Sequence, residues 1–334
     1  MLFGLSAPIA KLLLGDLPPQ LLAGLLYVGS GLGLMIVALA RRGTSSRHDP
    51  GVHRDQIPFL VGAIAFGGIA APVFLIFGLQ RTPSSSASLL LNLEAVFTAV
   101  IAWAVFHENV NSRIGLGLLA IVAGGVVLSQ SGSFEFTEFA GPLAIAAACL
   151  CWGIDNNLTQ RISSTDPLRI ATLKGLVAGT VNTVLAVLLG QWRSTSPISI
   201  ALALGFVSYG LSLVLYIRAL RELGTARAGN YFSVAPFVGA IVGVILLRER
   251  VTTGLSAAGL LMGIGVWLHV TETHTHQHVH EPLTHEHEHT HDEHHQHQHT
   301  PDDPAGEPHT HPHRHERLEH SHAHYPDIHH RHPH

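Results

Sequence analysis

Charged residues are scarce in this sequence. They make up 13% of its 334 residues, whereas hydrophobic residues make up 47%. Soluble domains usually carry about 25% charged residues, and a soluble core cannot hide several long uncharged stretches in succession. The composition therefore excludes an ordinary soluble domain and predicts that membrane lipid surrounds most of the chain.

Cysteines, basic clusters and catalytic motifs are also nearly absent. The two cysteines, Cys149 and Cys151, lie within one apolar stretch, which indicates a packing role rather than a disulfide. Lys and Arg are scattered through loops, without the basic stripe typical of nucleic-acid binding, so we expect no nucleic-acid partner. No nucleophile with its base, phosphate-binding loop or rigid metal motif occurs, and the sequence therefore does not predict an enzyme.

Long apolar stretches recur along the chain until the histidine-rich tail begins. A membrane-spanning helix needs about 20 mostly apolar residues, because lipid offers its backbone no hydrogen-bond partner. We predict an all-α integral membrane protein of about ten transmembrane helices. The expected spans are 1–14, 19–40, 57–79, 82–106, 113–130, 140–161, 168–190, 197–220, 225–247 and 253–270.

The positions of Lys and Arg predict how these spans are oriented. Arg41, Arg42, Arg47 and Arg54 gather in one loop, and most other basic residues fall in loops on the same side of the predicted bundle. Loops rich in Lys and Arg lie in the cytoplasm. We therefore expect a multi-pass protein of the cell (inner) membrane whose C-terminal tail is cytoplasmic.

The sequence also contains an internal repeat. When the sequence is shifted against itself without gaps, Glu108-Asn109-Val110 falls on Glu249-Arg250-Val251. A second match, Phe3-Gly4 with Pro18 to Trp152-Gly153 with Pro167, keeps the same interval between aromatic residue and proline. Each repeat would hold five spans, and an odd number of spans inverts the second copy in the membrane. We predict two inverted five-helix repeats, 1–130 and 131–270, followed by a tail, 271–334.

The first span is shorter than its counterpart. Only Met1 and Leu2 precede Phe3, whereas roughly ten apolar residues precede Trp152 in its span. Half a helix cannot satisfy its backbone across a bilayer, so we expect the natural start to lie upstream of Met1. No basic segment or cleavage site marks a removable signal peptide.

The two repeats resemble the EamA family of the drug/metabolite transporter superfamily. The resemblance covers residues 1–270 and rests on the penultimate helix of each repeat, 93–108 and 235–249, in which an aliphatic run ends in Glu. The proline common in this family is present as Pro236, whereas the first repeat has Ala95. The resemblance implies export or exchange of a small metabolite or drug-like solute by alternating access, driven by an ion gradient and without a cofactor.

Ionisable residues inside the spans mark the candidate site. Each costs about 3 kcal/mol to insert, so it normally faces a cavity or a partner. Glu94 is the first candidate, because a carboxylate in a cavity of changing hydration can carry a proton across; the alternative is a buried ion pair with Lys174. The predicted solute or coupling residues are Glu94, Asn92, Trp152, Asp155, Asn156, Asn157, Lys174, Asn230, Tyr231 and Ser233.

The polar residues in this set cluster in two short runs. One joins Trp152 to Asp155, Asn156 and Asn157, and the other precedes Pro236 in the ninth span. Lipid does not tolerate such a density of donors and acceptors, so we expect the runs to line a central cavity. Hydrogen bonding between helices as packing is the alternative.

Histidine dominates the tail from His274 onward. Apolar residues are too sparse there to form a core, which predicts disorder. Neutral imidazole binds Zn, Ni, Co and Cu(II), so the tail is a candidate site for a divalent metal; a solvated linker is the alternative. The candidate ligands are His274, His276, His278, His280, His285, His287, His289, His291, His294, His295, His297 and His299.

Two other functions fit parts of this pattern. The chain could export a divalent metal such as Ni, Co or Zn, or it could be a membrane-anchored metal-storage protein. The spans offer few metal ligands, mainly Asp155 and Glu94, which favours a small-molecule solute over a metal as the cargo.

Overall fold

The computed structural model describes residues 2–41, 52–106, 112–129, 136–163, 165–192 and 197–271, together with the backbone of four short tail segments. Side chains are described in these ranges except at 106, 136–138, 222–227 and 230 and in the tail. The α-helices are α1 (Ser6–Leu13), α2 (Pro19–Arg41), α3 (Ile57–Ala63), α4 (Ala71–Arg81), α5 (Ser84–Leu90), α6 (Leu93–Phe106), α7 (Ser112–Ser129), α8 (Phe136–Arg161), α9 (Pro167–Leu188), α10 (Pro197–Leu204), α11 (Ser212–Phe232), α12 (Ala235–Leu247) and α13 (Thr253–Val270).

Within the described residues, eight helical stretches are long and apolar enough to cross a membrane, and two shorter apolar helices, Leu2–Leu13 and Ala235–Leu247, accompany them. Their order confirms the predicted all-α, multi-pass membrane fold. Several spans contain two of these helices. For example, α5 and α6 meet at a turn at residues 91–92 and form one span.

The chain reverses direction within α11. A straight helix would separate residues 216 and 232 by about 24 Å. The ring centroids of Tyr216 and Phe232 nevertheless lie 4.9 Å apart. The eighth span therefore ends and the ninth begins between these two residues, in the region where the sequence predicted a span boundary.

Two π-helical segments interrupt the spans at equivalent places. Ile64–Ala70 joins α3 to α4, and Gly205–Leu211 joins α10 to α11. The shift that lays Glu108 on Glu249 also lays the first of these ranges on the second. A π-helical turn is rare and alters backbone hydrogen bonding, and it often occurs at functional sites.

Small residues let the central helices α2 and α9 pack closely. A Cβ atom on Gly175 would lie 2.7 Å from the Cα atom of Gly31, so the two backbones touch there. The amides of this seam are paired: Gln20 Nε2 donates to Asn182 Oδ1 at 3.0 Å, and Asn182 Nδ2 donates to the Gly68 carbonyl at 3.1 Å. The seam is thus close-packed, and its amides are hydrogen-bonded.

The tail forms a separate unit, 273–325. Its described segments are four strands, with β1 (Thr275–His280) antiparallel to β4 (Leu318–Ala323) and β2 (Thr284–His289) antiparallel to β3 (His309–Arg314). Isolated two-stranded pairs are marginally stable in water at best. The predicted disorder of the tail stays a prediction.

Candidate solute-binding cavity

A cavity of about 470 Å³ lies among the spans of both halves. Five predicted site residues line it: Glu94, Trp152, Asp155, Asn156 and Lys174. The sequence did not single out the other lining residues as site residues, and these are Phe3, Tyr27, Ser208, Tyr209, Ser212, Leu213, Tyr216 and Phe232.

A buried ion pair forms one side of the cavity. The Lys174 ammonium on α9 donates to the Asp155 carboxylate on α8, and both residues are at most 3% exposed. Thr159 Oγ1 supplies a further hydrogen bond to Asp155 Oδ1 at 2.9 Å. Buried charges are tolerated only when they are paired and hydrogen-bonded in this way. Lys174 therefore pairs with Asp155, whereas the sequence had suggested Glu94 as a possible partner.

Glu94 contacts a neutral partner instead. It lies in the first turn of α6, is 8% exposed, and accepts a hydrogen bond from Asn156 Nδ2 at 2.9 Å. Asn156 Nδ2 is also 3.2 Å from Thr98 Oγ1. A carboxylate held by an amide can take up or release a proton without breaking an ion pair. Glu94 is thus suited to coupling, and Asp155 and Lys174 to holding opposite charges.

A backbone carbonyl of the first π-helical segment accepts hydrogen bonds from two residues of the cavity lining. Tyr27 Oη donates to the Gly67 carbonyl at 2.6 Å, and Trp152 Nε1 donates to the same oxygen at 3.1 Å. Glycine is required at 67, because a Cβ atom there would lie 2.7 Å from the Cβ atom of Asp155. Spans two, three and six are therefore joined at one carbonyl beside the ion pair.

Aromatic rings form a continuous wall of the cavity. Phe3 packs against Trp152, Tyr209 and Phe232, with ring centroids 5.7, 5.5 and 5.2 Å away. Tyr27 extends the wall beyond Tyr209 at 5.3 Å, and Tyr216 extends it beyond Phe232. One signal in the sequence could have revealed this wall: three of the chain's five tyrosines lie here, all inside predicted spans.

A second cavity of about 240 Å³ adjoins the first and shares Glu94, Asn156, Tyr216 and Phe232 with it. Its lining adds Ser233, whose Oγ donates to the Gly229 carbonyl at 2.9 Å. Six of the ten predicted residues thus line one or both of these cavities.

The other four predicted site residues are not among the described lining residues of either cavity. Asn157 is buried and donates to the Gly153 carbonyl of its own helix at 2.8 Å and to the Thr98 carbonyl at 3.1 Å, which ties α8 to α6. Asn92 is buried and donates to the Leu89 carbonyl at 3.2 Å. Tyr231 is 56% exposed and lines neither cavity. The side chain of Asn230 lies outside the described residues.

Metal ligands do not cluster among the side chains that the structure describes: no group of three or more His, Cys, Asp or Glu residues there could hold an ion. Six predicted tail ligands fall on strands β1 and β2: His276, His278, His280, His285, His287 and His289. The other six, His274, His291, His294, His295, His297 and His299, lie outside the described residues. Metal binding by the tail stays a prediction.

The chain is similar in sequence to several transporters. The sequence model of the EamA-like transporter family matches residues 1–130 and 139–271. An uncharacterized transporter of Methanothermobacter thermautotrophicus is 27% identical, over 80% of this chain and 82% of the relative. A probable amino-acid metabolite efflux pump of Salmonella typhimurium is 26% identical, over 81% and 91%. A crystal structure with 22% identity covers 81% of this chain and 97% of its own, with a TM-score of 0.60.

Proposed function

The chain belongs to the EamA-like transporter family, whose sequence model matches both of its halves, and from that premise we propose that it exports small amino-acid-like metabolites by alternating access. Family and fold together make it a membrane transporter of small solutes. The observation that carries the finer proposal is the central cavity, in which an ion pair, a separate carboxylate and an aromatic wall face one space.

The lining suits a zwitterion with an apolar or aromatic side chain. A carboxylate of the solute can replace Asp155 on the Lys174 ammonium, while an amino group of the solute binds the freed Asp155 carboxylate. The cost of separating the buried ion pair is then offset by two new ion pairs between solute and protein. Aromatic faces would hold the remaining side chain. The Salmonella relative, named for amino-acid metabolites, supports this class of solute.

Glu94 is the proposed coupling residue. Its neutral amide partner permits a change of protonation as the cavity opens to one side of the membrane and then to the other. We expect Glu94→Gln to abolish gradient-driven flux in a folded protein, because the amide keeps the volume but cannot titrate. The control is Tyr231→Phe, which alters a side chain outside both cavities and should leave flux unchanged.

The assay is flux of labelled amino acids and other small solutes in sealed inside-out vesicles with an imposed pH gradient. Wild-type flux and pH dependence in Glu94→Gln would show that Glu94 is structural. Flux of none of the zwitterionic solutes, with flux of another class, would reject the proposed substrate.

The proposed orientation puts the tail in the cytoplasm and inverts the second repeat relative to the first. Five spans in each half and the basic loops support it. A phosphatase that is active only in the periplasm should therefore be inactive when it is fused after His334. An active fusion would reject this orientation.

The tail is proposed to bind a divalent metal such as Zn, Ni, Co or Cu and to buffer or sense it. The register of β2 and β3 supports this, because it pairs His285 with His313, His287 with His311 and His289 with His309. Opposed residues on antiparallel strands lie about 5 Å apart, within reach of one ion.

A chain ending at Thr273 tests the role of the tail. Zn or Ni binding should fall nearly to zero while solute flux persists, and binding by the full chain should weaken as pH drops through about 6.5, where imidazole protonates. Efflux of Zn or Ni by the shortened chain would instead identify metal as the cargo.

A further inference from the structure

Helices α5 and α12 meet at the end of the bundle opposite the one where α13 ends. Glycines of α12 contact serines of α5: a Cβ atom on Gly239 would lie 2.7 Å from Ser88 Oγ, and one on Gly243 would lie 3.0 Å from both Ser84 Oγ and the Ser85 nitrogen. We call this contact the α5–α12 seam. It leaves no room for water or solute in the described state.

Two buried serine hydroxyls lie on the α5 side of this seam. Ser84 and Ser88 are at most 1% exposed, and their Oγ atoms have no hydrogen-bond partner among the described residues. A buried polar group without a partner costs about 1–3 kcal/mol, so permanent packing selects against it. In the α2–α9 seam the amides of Gln20 and Asn182 are paired, and one buried hydroxyl, Thr183 Oγ1, has no partner among the described residues. Unpaired hydroxyls fit a surface that meets water in another state.

The two faces of the seam continue into the cavities. On the fourth span, Ser84 and Ser88 are followed at helical spacing by Leu91 and Ala95, which line the smaller cavity. On the ninth span, Gly243 and Gly239 lead to Pro236, which lines the same cavity. Parting α5 from α12 would therefore extend the site to the end of the bundle.

Charged side chains form hydrogen bonds across the end of the bundle where α5 begins. Glu249, just beyond α12, accepts hydrogen bonds from the backbone nitrogens of Ser84 and Ser85 at 2.6 and 2.8 Å. These are the first amides of α5, where a negative charge is favourable. Lys11 at the end of α1 donates to the carbonyls of Thr82, at 2.8 Å, and of Leu79. The contacts tie residues distant in sequence across the mouth of the seam.

We propose that the α5–α12 seam is the closed outer half of the solute's path. The hydrogen bonds of Glu249 with Ser84 and Ser85 hold it closed and break when the cavity faces the outside. This inference rests on the proposed function, because a path needs a transported solute. Ser84 and Ser88 line the path and become hydrated when it opens, while Gly239 and Gly243 permit closure without side chains in the way.

Cysteine accessibility tests the seam without knowledge of the solute. In a chain carrying Cys149→Ala and Cys151→Ala, Ser88→Cys is exposed in intact cells to a membrane-impermeant maleimide. The matched control is Ser30→Cys, equally buried but in the α2–α9 seam. Labelling at 88 should be more than about tenfold faster than at 30, and Glu249→Gln should speed it further.

A cross-link provides the second measurement. A disulfide between Ser84→Cys and Gly243→Cys should stop solute flux, and reductant should restore it. Flux that continues through the cross-linked protein, or equal labelling at 88 and 30 in a chain that transports, would overturn the inference. Fast labelling at 88 in a chain that moves no solute of the panel would retain the opening seam and reject the proposed solute export.

Discussion

The two halves of the molecule share a backbone irregularity but divide the chemistry of the cavity unequally. Both carry a π-helical segment in their third span, at ranges that the internal repeat aligns with each other. The ion pair, however, belongs wholly to the second half: at the interval that matches Phe3 to Trp152, the first half has Ser6 and Leu25 where the second has Asp155 and Lys174.

This difference has a physical explanation. Alternating access requires two halves that bend in equivalent ways, so the backbone geometry is needed twice. A solute occupies a single site, and its charged contacts are needed once. The halves could therefore diverge in side chains at the cavity while they kept the same interruption in the third span. Substituting residues of the second half by their counterparts in the first half tests this explanation.

The largest effect is expected from separating the ion pair. Lys174→Leu, which installs the residue of the first half, leaves the Asp155 carboxylate buried and unpaired and should lower the free energy of unfolding by about 3–5 kcal/mol. Adding Asp155→Ser removes that charge and should recover most of the stability but none of the flux. Thermal unfolding in detergent and vesicle flux measure the two effects; a double variant that transports would show that the pair is not part of the site.

A smaller loss of stability is expected from substitutions in the π-helical segments, and it should differ between the two equivalent positions 67 and 208. Gly67→Ala forces a methyl group against the Asp155 side chain and should cost about 1–3 kcal/mol, with loss of flux. Its equivalent, Ser208→Ala, removes only the hydrogen bond from Ser208 Oγ to the Leu2 carbonyl at 2.9 Å and should cost about 1 kcal/mol. Equal losses of flux at 67 and 208 would contradict an unequal division of the site.

The smallest effect is expected at Trp152, whose counterpart is Phe3. Trp152→Phe keeps a ring in the aromatic wall but removes the hydrogen bond to the Gly67 carbonyl, which should cost about 0.5–1.5 kcal/mol. Tyr27→Phe should cost a similar amount. Removing both donors should cost more than the sum, because the buried carbonyl then has neither side-chain donor. A strictly additive double variant would show that Gly67 does not couple the two spans.

Much of the fold was predictable because its signals are local. The spans follow from runs of apolar residues, and the repeat follows from short matches such as Glu108 to Glu249. The same local reasoning placed Glu94, Asp155 and Lys174 inside the membrane, since an ionisable residue in an apolar run needs a cavity or a partner. It also placed Asn157 at the cavity, whereas in the structure its amide donates to the Thr98 carbonyl on α6 and to the Gly153 carbonyl of its own helix.

The sequence by itself thus determined which segments cross the membrane, that they repeat, and which of their residues are too polar to face lipid, because each of these depends on neighbours within one helix. Only the tertiary structure decided that Lys174 pairs with Asp155, that Glu94 meets Asn156, and that Tyr27 and Trp152 share the Gly67 carbonyl. Such partners lie on different helices, and the rotation and spacing of packed helices set which side chains meet.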